Sequence, residues 1–266
     1  MDPDTTPETV PSPFRLIGEK YRFLSGSALK TLALITMLID HTASALLKGS
    51  AVTVLSLAGH TLTLYDLMRN IGRIAFPIYC FLLVEGFFHT HDRKAYGGSL
   101  LLFALISEIP WNLLHKGTIL YPSSQNVFFT LFLGYLGIWV IDAFGLSPFA
   151  EKSGKIGEDR RTVLRAYALL LLLLLLSVLL HCDYGCSGFG FIVLMYLLRS
   201  SPLLRAVVGS CVLSSRWIAG LAFLPIAFYN GKRGFIRGKA AKYLFYVIYP
   251  VHMLALYLIK RNTIGY

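Results

Sequence analysis

Asp40 and His41 are adjacent in LITMLIDHTASALL, residues 34–47, a stretch that is otherwise typical of an apolar helix. An acid and an imidazole both cost free energy to remove from water, so this pair indicates a site rather than lipid-facing surface. Imidazole titrates near neutral pH, which suits His41 to a general base oriented by a carboxylate. Neighbouring helix residues point about 100° apart, so that carboxylate is Asp40, Glu108 or Asp183. The alternative is a histidine that only packs against a neighbouring helix.

Other polar residues fall at a similar depth in the neighbouring predicted helices. Arg73 can hold an anion or a developing oxyanion, and its alternative role is a structural salt bridge or a lipid headgroup contact. We interpret the shared depth as a water-accessible cavity, in which polar groups satisfy one another instead of facing hydrocarbon. Its predicted members are Asp40, His41, Arg73, Glu108, Asn112, Asn126 and Asp183.

Glu85 belongs to the other end of its helix, about 18 Å along the axis from Arg73 if the helix is regular. His89, Arg93 and Lys94 follow closely, and their charges could attract a phosphorylated ligand to an inner vestibule. The alternative is a set of ordinary inner-loop cations with Glu85 as their counter-charge.

The last apolar stretch, KYLFYVIYPVHMLALYLIK, contains Tyr249, Pro250 and His252. Proline inside a helix removes a hydrogen bond and can kink the helix. His252 is therefore a second imidazole candidate, or alternatively a packing residue.

The composition predicts a membrane protein, because 55% of the 266 residues are hydrophobic, 15% are charged and the mean hydropathy is +0.62. We predict an all-α, polytopic transmembrane bundle of about nine spans that forms one domain at 27–262. Residues 1–26 are predicted to be a disordered polar tail and not a signal peptide. If the N-terminus is cytoplasmic, the inner segments contain eighteen Lys and Arg and the outer segments contain six. Because inner loops of membrane proteins are enriched in positive charge, this bias predicts a cytoplasmic N-terminus. If segment 203–213 is re-entrant or peripheral, the number of membrane spans is eight. The predicted spans are 28–47, 71–88, 98–114, 125–143, 163–181, 187–198, 203–213, 217–229 and 243–259.

Several function classes are disfavoured. The net charge of +11 is spread over small loop clusters without a nucleic-acid module, so we expect no nucleic-acid partner. HCDYGCSGFG, residues 181–190, matches no zinc-ligand spacing, so we predict no metal site. Cys182 and Cys186 flank a turn and either pair in an oxidising compartment or stay separate thiols. No G-x-S-x-G elbow, Walker loop or dinucleotide fingerprint occurs.

Six blocks together resemble the TraX family, whose namesake acetylates the N-terminus of conjugative pilin. They are LKTLALITMLIDHTASALL, MRNIGRIAFPIYCFLLVEGFFHTHDRKAY, ALISEIPWNLL, NVFFTLFLGYLGI, DYGCSGFGFIVLMYLL and KYLFYVIYPVHMLALYLI, and they cover about residues 28–260. The family in turn looks like a relative of the type-three membrane acyltransferases. In that class, a histidine late in the first helix is the base, and an arginine that begins the second helix is essential. The corresponding residues in this sequence are His41 and Arg73.

The resemblance implies transfer of an acetyl group from acetyl coenzyme A to an amine or a hydroxyl at the bacterial inner membrane. The acceptor would be a pilin or an envelope glycan. The rival classes are a transporter or lipid-handling protein without this activity and a noncatalytic assembly partner. The predicted catalytic residues are His41, Asp40, Arg73, Glu108 and Asn126, and the predicted donor-binding residues are Glu85, His89, Arg93, Lys94, Tyr249 and His252.

Overall fold

The computed structural model describes residues 17–50, 52–57, 60–147, 159–236 and 238–263. The named secondary-structure elements in these ranges are helices, apart from one two-stranded hairpin. The predicted helical class is therefore confirmed. The antiparallel hairpin is an addition, since it lies between the first two predicted spans. In chain order the elements are α1 Gly26–Leu46, β1 Thr53–Leu57, β2 His60–Thr63, α2 Leu64–Gly72, α3 Ala75–His89, α4 Arg93–Lys116, α5 Val127–Ala143, α6 Arg160–Leu179, α7 Gly185–Leu197, α8 Pro202–Val212, α9 Phe223–Ala227 and α10 Gly238–Thr263, with 3-10 turns at Glu19–Tyr21 and Ser214–Ala222.

Within the described ranges, five helical stretches are long and apolar enough to cross a membrane: Gly26–Leu46, Leu64–His89, Arg93–Lys116, Arg160–Leu179 and Tyr243–Thr263. The other four predicted spans correspond to apolar helices of only 10–17 residues. An 11-residue helix such as α8 is about 16 Å long, roughly half of a hydrocarbon core. A bundle with nine crossings and a cytoplasmic N-terminus thus stays a prediction.

The surface of α6 explains why lipid is the expected solvent. Leu171, Leu172, Leu175 and Leu179 are each about half exposed or more, and only 11% of this span is buried inside the bundle. In water such a surface would cost free energy, whereas in hydrocarbon it costs none. The surface is typical of a helix that faces acyl chains.

The core lies between helices that are distant in the chain. Helix α1 packs against α2, α3 and α10, α10 also packs against α4, and α5 contacts α4, α6 and α7. Large side chains from separate helices are fully buried there, among them Phe87, Tyr135, Ile192 and Met253. Helices α1, α2, α4 and α10 therefore surround one volume, into which the chain can place polar groups away from lipid.

The N-terminal end of α1 is held by the segment before α10. The Leu24 N–H donates to the Phe228 carbonyl at 3.0 Å, and the Asn230 N–H donates to the Leu24 carbonyl at 2.9 Å. The Ser25 hydroxyl caps α1 by accepting from the Ala28 N–H. The predicted tail, 1–26, thus ends in residues bonded to the bundle, while its residues 1–16 lie outside the described residues.

Candidate active site

The acid of the Asp-His pair binds an arginine. At Gly72 a side chain would overlap Asp40, so the glycine allows α2 to approach α1 closely. Arg69 Nη1 consequently lies 2.5 Å from Asp40 Oδ2, with the side chains 23% and 17% exposed. Arg73 shares the helix face of Arg69 one turn later, where its backbone N–H donates to the Arg69 carbonyl at 3.2 Å. Asp40 therefore forms an ion pair with Arg69, a residue that was not among the predicted site residues.

His41 is bonded to a second histidine from the far end of the chain. His41 Nδ1 lies 2.6 Å from His252 Nε2, and the two rings are nearly parallel, at 9°, with centroids 4.9 Å apart. His252 Nδ1 in turn lies 2.8 Å from the Ile248 carbonyl oxygen, one turn earlier on α10. The two imidazoles that the sequence singled out therefore meet in one chain of hydrogen bonds.

This chain determines which nitrogen atoms carry protons when both rings are neutral. A carbonyl oxygen only accepts, so His252 Nδ1 must be the donor to Ile248. His252 Nε2 then holds a lone pair and accepts the hydrogen on His41 Nδ1. His41 Nε2 is left as the unprotonated nitrogen, and no hydrogen bond to it is observed within the described part of the chain. The geometry thus presents a basic nitrogen atom of defined orientation.

Helix α4 supplies two further rings beside His41. The His41 centroid lies 6.3 Å from both Trp111 and His115, and those two rings are 4.0 Å apart. His115 Nδ1 donates to the Trp111 carbonyl at 3.0 Å, so its Nε2 also holds a lone pair. The buried Trp111 Nε1–H has no hydrogen-bond partner among the described residues. The region around His41 thus contains an indole donor whose hydrogen-bonding capacity is unused among the described residues.

Glu108 and Asn126 form a separate pair that joins α4 to α5. The buried Asn126 caps α5, because its Oδ1 accepts from the Phe128 N–H at 3.0 Å. Its Nδ2 donates to Glu108 Oε2 at 2.7 Å and to the Ala104 carbonyl at 2.8 Å. Both amide hydrogens are therefore engaged, so Asn126 holds Glu108 in place and has no donor left for a thioester carbonyl.

Tyr249 links this pair to the histidines. The residue is only 3% exposed, its ring centroid lies 5.8 Å from His41, and it packs edge-on against Phe128 at 5.0 Å. Glu108 and Asp183 lie within electrostatic range of its hydroxyl. Six of the predicted polar residues therefore lie in one continuous region: Asp40, His41, Glu108, Asn126, Tyr249 and His252.

The remaining predicted donor-binding residues lie at the other end of α3 and at the start of α4. Glu85 Oε1 accepts from Arg199 Nε at 3.0 Å, and His89 Nε2 is 3.8 Å from Glu85 Oε2. Arg93 Nη1 pairs with Asp142 Oδ2 at 2.5 Å, and Lys94 is exposed. Tyr249 and His252 do not join them, because they contact His41 instead.

The turn between α6 and α7 carries Cys182 and Cys186 as separate free thiols, so the alternative without a disulfide applies. Burial raises the pKa of the Cys182 thiol to about 11, and nearby Asp183 and Glu108 act in the same direction. Within the described ranges, no group of three or more His, Cys, Asp or Glu is arranged to hold a metal ion.

Sequence reasoning did not identify Arg69, Trp111 or His115 as site residues. One signal was available on α4, where Glu108, Asn112 and His115 follow at spacings of four and three and thus share a helix face with Trp111. For Arg69 no local signal separated it from Arg73, which lies one turn away on the same face.

Comparison with known proteins agrees with the motifs. The family model described as TraX protein matches residues 25–260, which includes every residue of the site. The probable fimbrial assembly protein FimC, serogroup H1, of Dichelobacter nodosus is 28% identical over 260 residues, covering 87% of this chain and 94% of the relative. No solved structure gives a significant match. The resemblance inferred from the motifs is therefore confirmed, and the chain belongs to the TraX family.

Proposed function

We propose that this chain is an integral membrane acyltransferase that moves an acetyl group from acetyl coenzyme A to an amine or hydroxyl acceptor at the membrane. The observation that carries the proposal is the hydrogen-bond chain from His41 Nδ1 through His252 to the Ile248 carbonyl. It leaves the His41 Nε2 lone pair ready to accept a proton, which is what a general base requires.

Acyl transfer to an amine forms a C–N bond and breaks the C–S bond of a thioester, while the amine loses one proton. In the proposed reaction, His41 Nε2 takes that proton as the nitrogen attacks the carbonyl carbon. The resulting imidazolium keeps its Nδ1–H directed at His252 Nε2, so the ring is held in one orientation. The proton then passes from Nε2 to the departing sulfur, which returns His41 to its starting state.

The carbonyl oxygen gains negative charge during the attack and needs donors or cations close by. The Trp111 indole N–H is a neutral donor in this region, and Arg69 and Arg73 supply positive charge from α2 and the residue that follows it. Asp40 sets the position of Arg69 through their ion pair. Asn126 acts by holding Glu108, which is the nearby carboxylate on α4.

A pilin-like N-terminal amine is the acceptor favoured by the comparisons, because the relative's name refers to fimbrial assembly. An envelope glycan hydroxyl is the second possibility for the same chemistry. In this proposal, the chain crosses the bacterial inner membrane about nine times with the N-terminus in the cytoplasm, and His41 lies towards the outer face. The thioester arm would then enter between the helices from the inner side.

The test compares wild-type protein with His41→Ala, purified in detergent without any ion gradient. Acetyl coenzyme A and a synthetic peptide with a pilin-like N-terminus are supplied, and released thiol and acetylated peptide are both measured. We expect wild-type activity and a loss of about 10²- to 10⁴-fold in His41→Ala, the usual contribution of a general base.

The matched control is His91→Ala, because His91 is exposed and lies outside the site. It should keep full activity. Equal activity in His41→Ala and wild type would refute the assignment of the base. Absence of transfer by folded wild-type protein to any amine or hydroxyl acceptor would favour a transporter or an assembly partner, since neither consumes thioester.

A further inference from the structure

A second group of charged residues lies at the opposite end of the bundle from His41. Arg199 follows α7, and its Nε donates to Glu85 Oε1 of α3 at 3.0 Å. The Arg199 guanidinium also lies over the Phe88 ring, 4.2 Å from its centroid. Glu85 is 16 residues beyond Arg69, which is about 24 Å along a regular helix. The two charged regions are therefore separate sites.

Arg205 of α8 is the unusual member of this group. The residue is only 7% exposed, and its Nε makes no hydrogen bond among the described residues. Its guanidinium lies over the Phe81 ring at 5.0 Å, and Glu85 and Arg199 are its electrostatic neighbours. A buried cation with an unused donor is costly unless something compensates it.

The charges of the surrounding elements do not balance. Helix α3 contributes Glu85 and His89, with His89 Nε2 3.8 Å from the carboxylate. The segment before α1 contributes Arg22, whose buried Nε also has no hydrogen-bond partner among the described residues. Arg199 and Arg205 thus share one carboxylate, that of Glu85, and Arg22 lies beside them as a neighbour of Tyr229. Arg93 and Asp142 form a separate pair in which the charges are balanced one to one.

Tyr229 adds a neutral donor to the same place. Its ring packs edge-on against Phe81 with centroids 5.2 Å apart, and Glu85, Arg199 and Arg22 are its electrostatic neighbours. A phenol ionises only well above neutral pH, so the Tyr229 hydroxyl keeps its hydrogen. It can therefore donate that hydrogen to an anion held by the arginines.

We propose that Arg205, Arg199 and Arg22 form a binding site for the phosphate groups of a phosphorylated ligand, with Tyr229 as an additional donor. Guanidinium groups bind phosphate oxygens in a planar, paired geometry, and a phosphate would use the unpaired donors of Arg205 and Arg22. A phosphate here and a reacting group at His41 would be roughly 24 Å apart along the helix axis. A single ligand that reached from this site to His41 would have to be long and thin, as a coenzyme A thioester is, and a compact acyl phosphate would be too short.

The identity of this ligand as the acyl donor rests on the proposed function, whereas the phosphate site itself does not. Anionic phospholipid headgroups carry the same phosphate chemistry and are the other source. The test uses full-length protein in nanodiscs of pure phosphatidylcholine and measures binding of coenzyme A and, separately, of 3′,5′-ADP. A parallel set of nanodiscs contains phosphatidylglycerol, whose competition with coenzyme A is measured.

We expect Arg205→Gln to weaken coenzyme A binding at least tenfold, equivalent to about 1.4 kcal/mol. The matched control, Arg165→Gln, removes the same charge from an exposed position on α6, outside this group, and should leave the affinity unchanged. Arg205→Met provides the test against a purely structural role. Because it removes a buried charge that has to share Glu85 with Arg199, its melting temperature should equal or exceed that of wild type while binding is lost.

Wild-type affinity for coenzyme A and for phosphatidylglycerol in folded Arg205→Gln would overturn the proposal. Loss of phosphatidylglycerol binding alone would identify the headgroup as the ligand and reject coenzyme A. Coenzyme A binding that depends on Arg205 in a protein without acetyl transfer would support the phosphate site and refute the proposed function. Intact acetyl transfer together with unchanged binding in Arg205→Gln would support the proposed function and reject the phosphate site.

Discussion

His252→Phe tests the proposed mechanism most directly, because it removes the acceptor of the His41 Nδ1–H and keeps an aromatic ring in its place. An aromatic side chain would be retained beside His41, while the 2.6 Å hydrogen bond would be lost. A buried hydrogen bond of this kind contributes about 1 to 3 kcal/mol when one partner is removed. If the whole amount orients the base in the transition state, the rate falls about 5- to 150-fold.

This loss should be smaller than that of His41→Ala, since Nε2 would still be present but in a freely rotating ring with both tautomers populated. His252→Gln should recover part of the activity, because the carbonyl oxygen of a glutamine side chain at this position can accept the same hydrogen. The assay is thiol release from acetyl coenzyme A with the peptide acceptor, measured for kcat and KM separately. We expect the loss in kcat, because the bond orients a base and does not hold either substrate.

The double variant His41→Ala, His252→Phe provides the control for coupling. If His252 acts only through His41, the second substitution adds nothing to the first. Additive losses would refute the relay and indicate that His252 contacts a substrate itself. Unchanged activity in His252→Phe alone would refute the assignment of the tautomer.

Two further predictions concern stability and thiol reactivity. Asp40→Asn leaves Arg69 without its counter-charge and should lower the free energy of unfolding in detergent by about 1 to 3 kcal/mol. Adding Arg69→Gln should recover part of that loss. Simple additivity of the two destabilisations would contradict the pairing. With a pKa of about 11, Cys182 is about one part in a thousand thiolate at pH 8. Maleimide followed by peptide mapping should therefore modify the exposed Cys186 first, and preferential labelling of Cys182 would contradict its burial.

The helical elements and the identity of several site residues followed from the sequence because their signals are local. Hydropathy depends only on consecutive side chains, so each predicted span overlaps a helix. Two spans are divided: 71–88 begins at the end of α2 and continues through α3, and 217–229 consists of a 3-10 turn and the short α9. The cost of burying an acid and an imidazole likewise marked Asp40 and His41 without any coordinates. The hairpin of β1 and β2 was not predicted, since alternation over only five and four residues is a weak signal.

The pairings required the tertiary structure. His41 and His252 are 211 positions apart, and no periodicity connects residues at such a distance. The ion pair of Asp40 with Arg69 depends on how closely α2 approaches α1 at Gly72. The sequence by itself thus determined which segments prefer lipid and which polar groups must be sheltered from it, because solvation is a property of each side chain. Only the packed helices decided which of those groups meet, because a hydrogen bond or an ion pair depends on distances between separate elements.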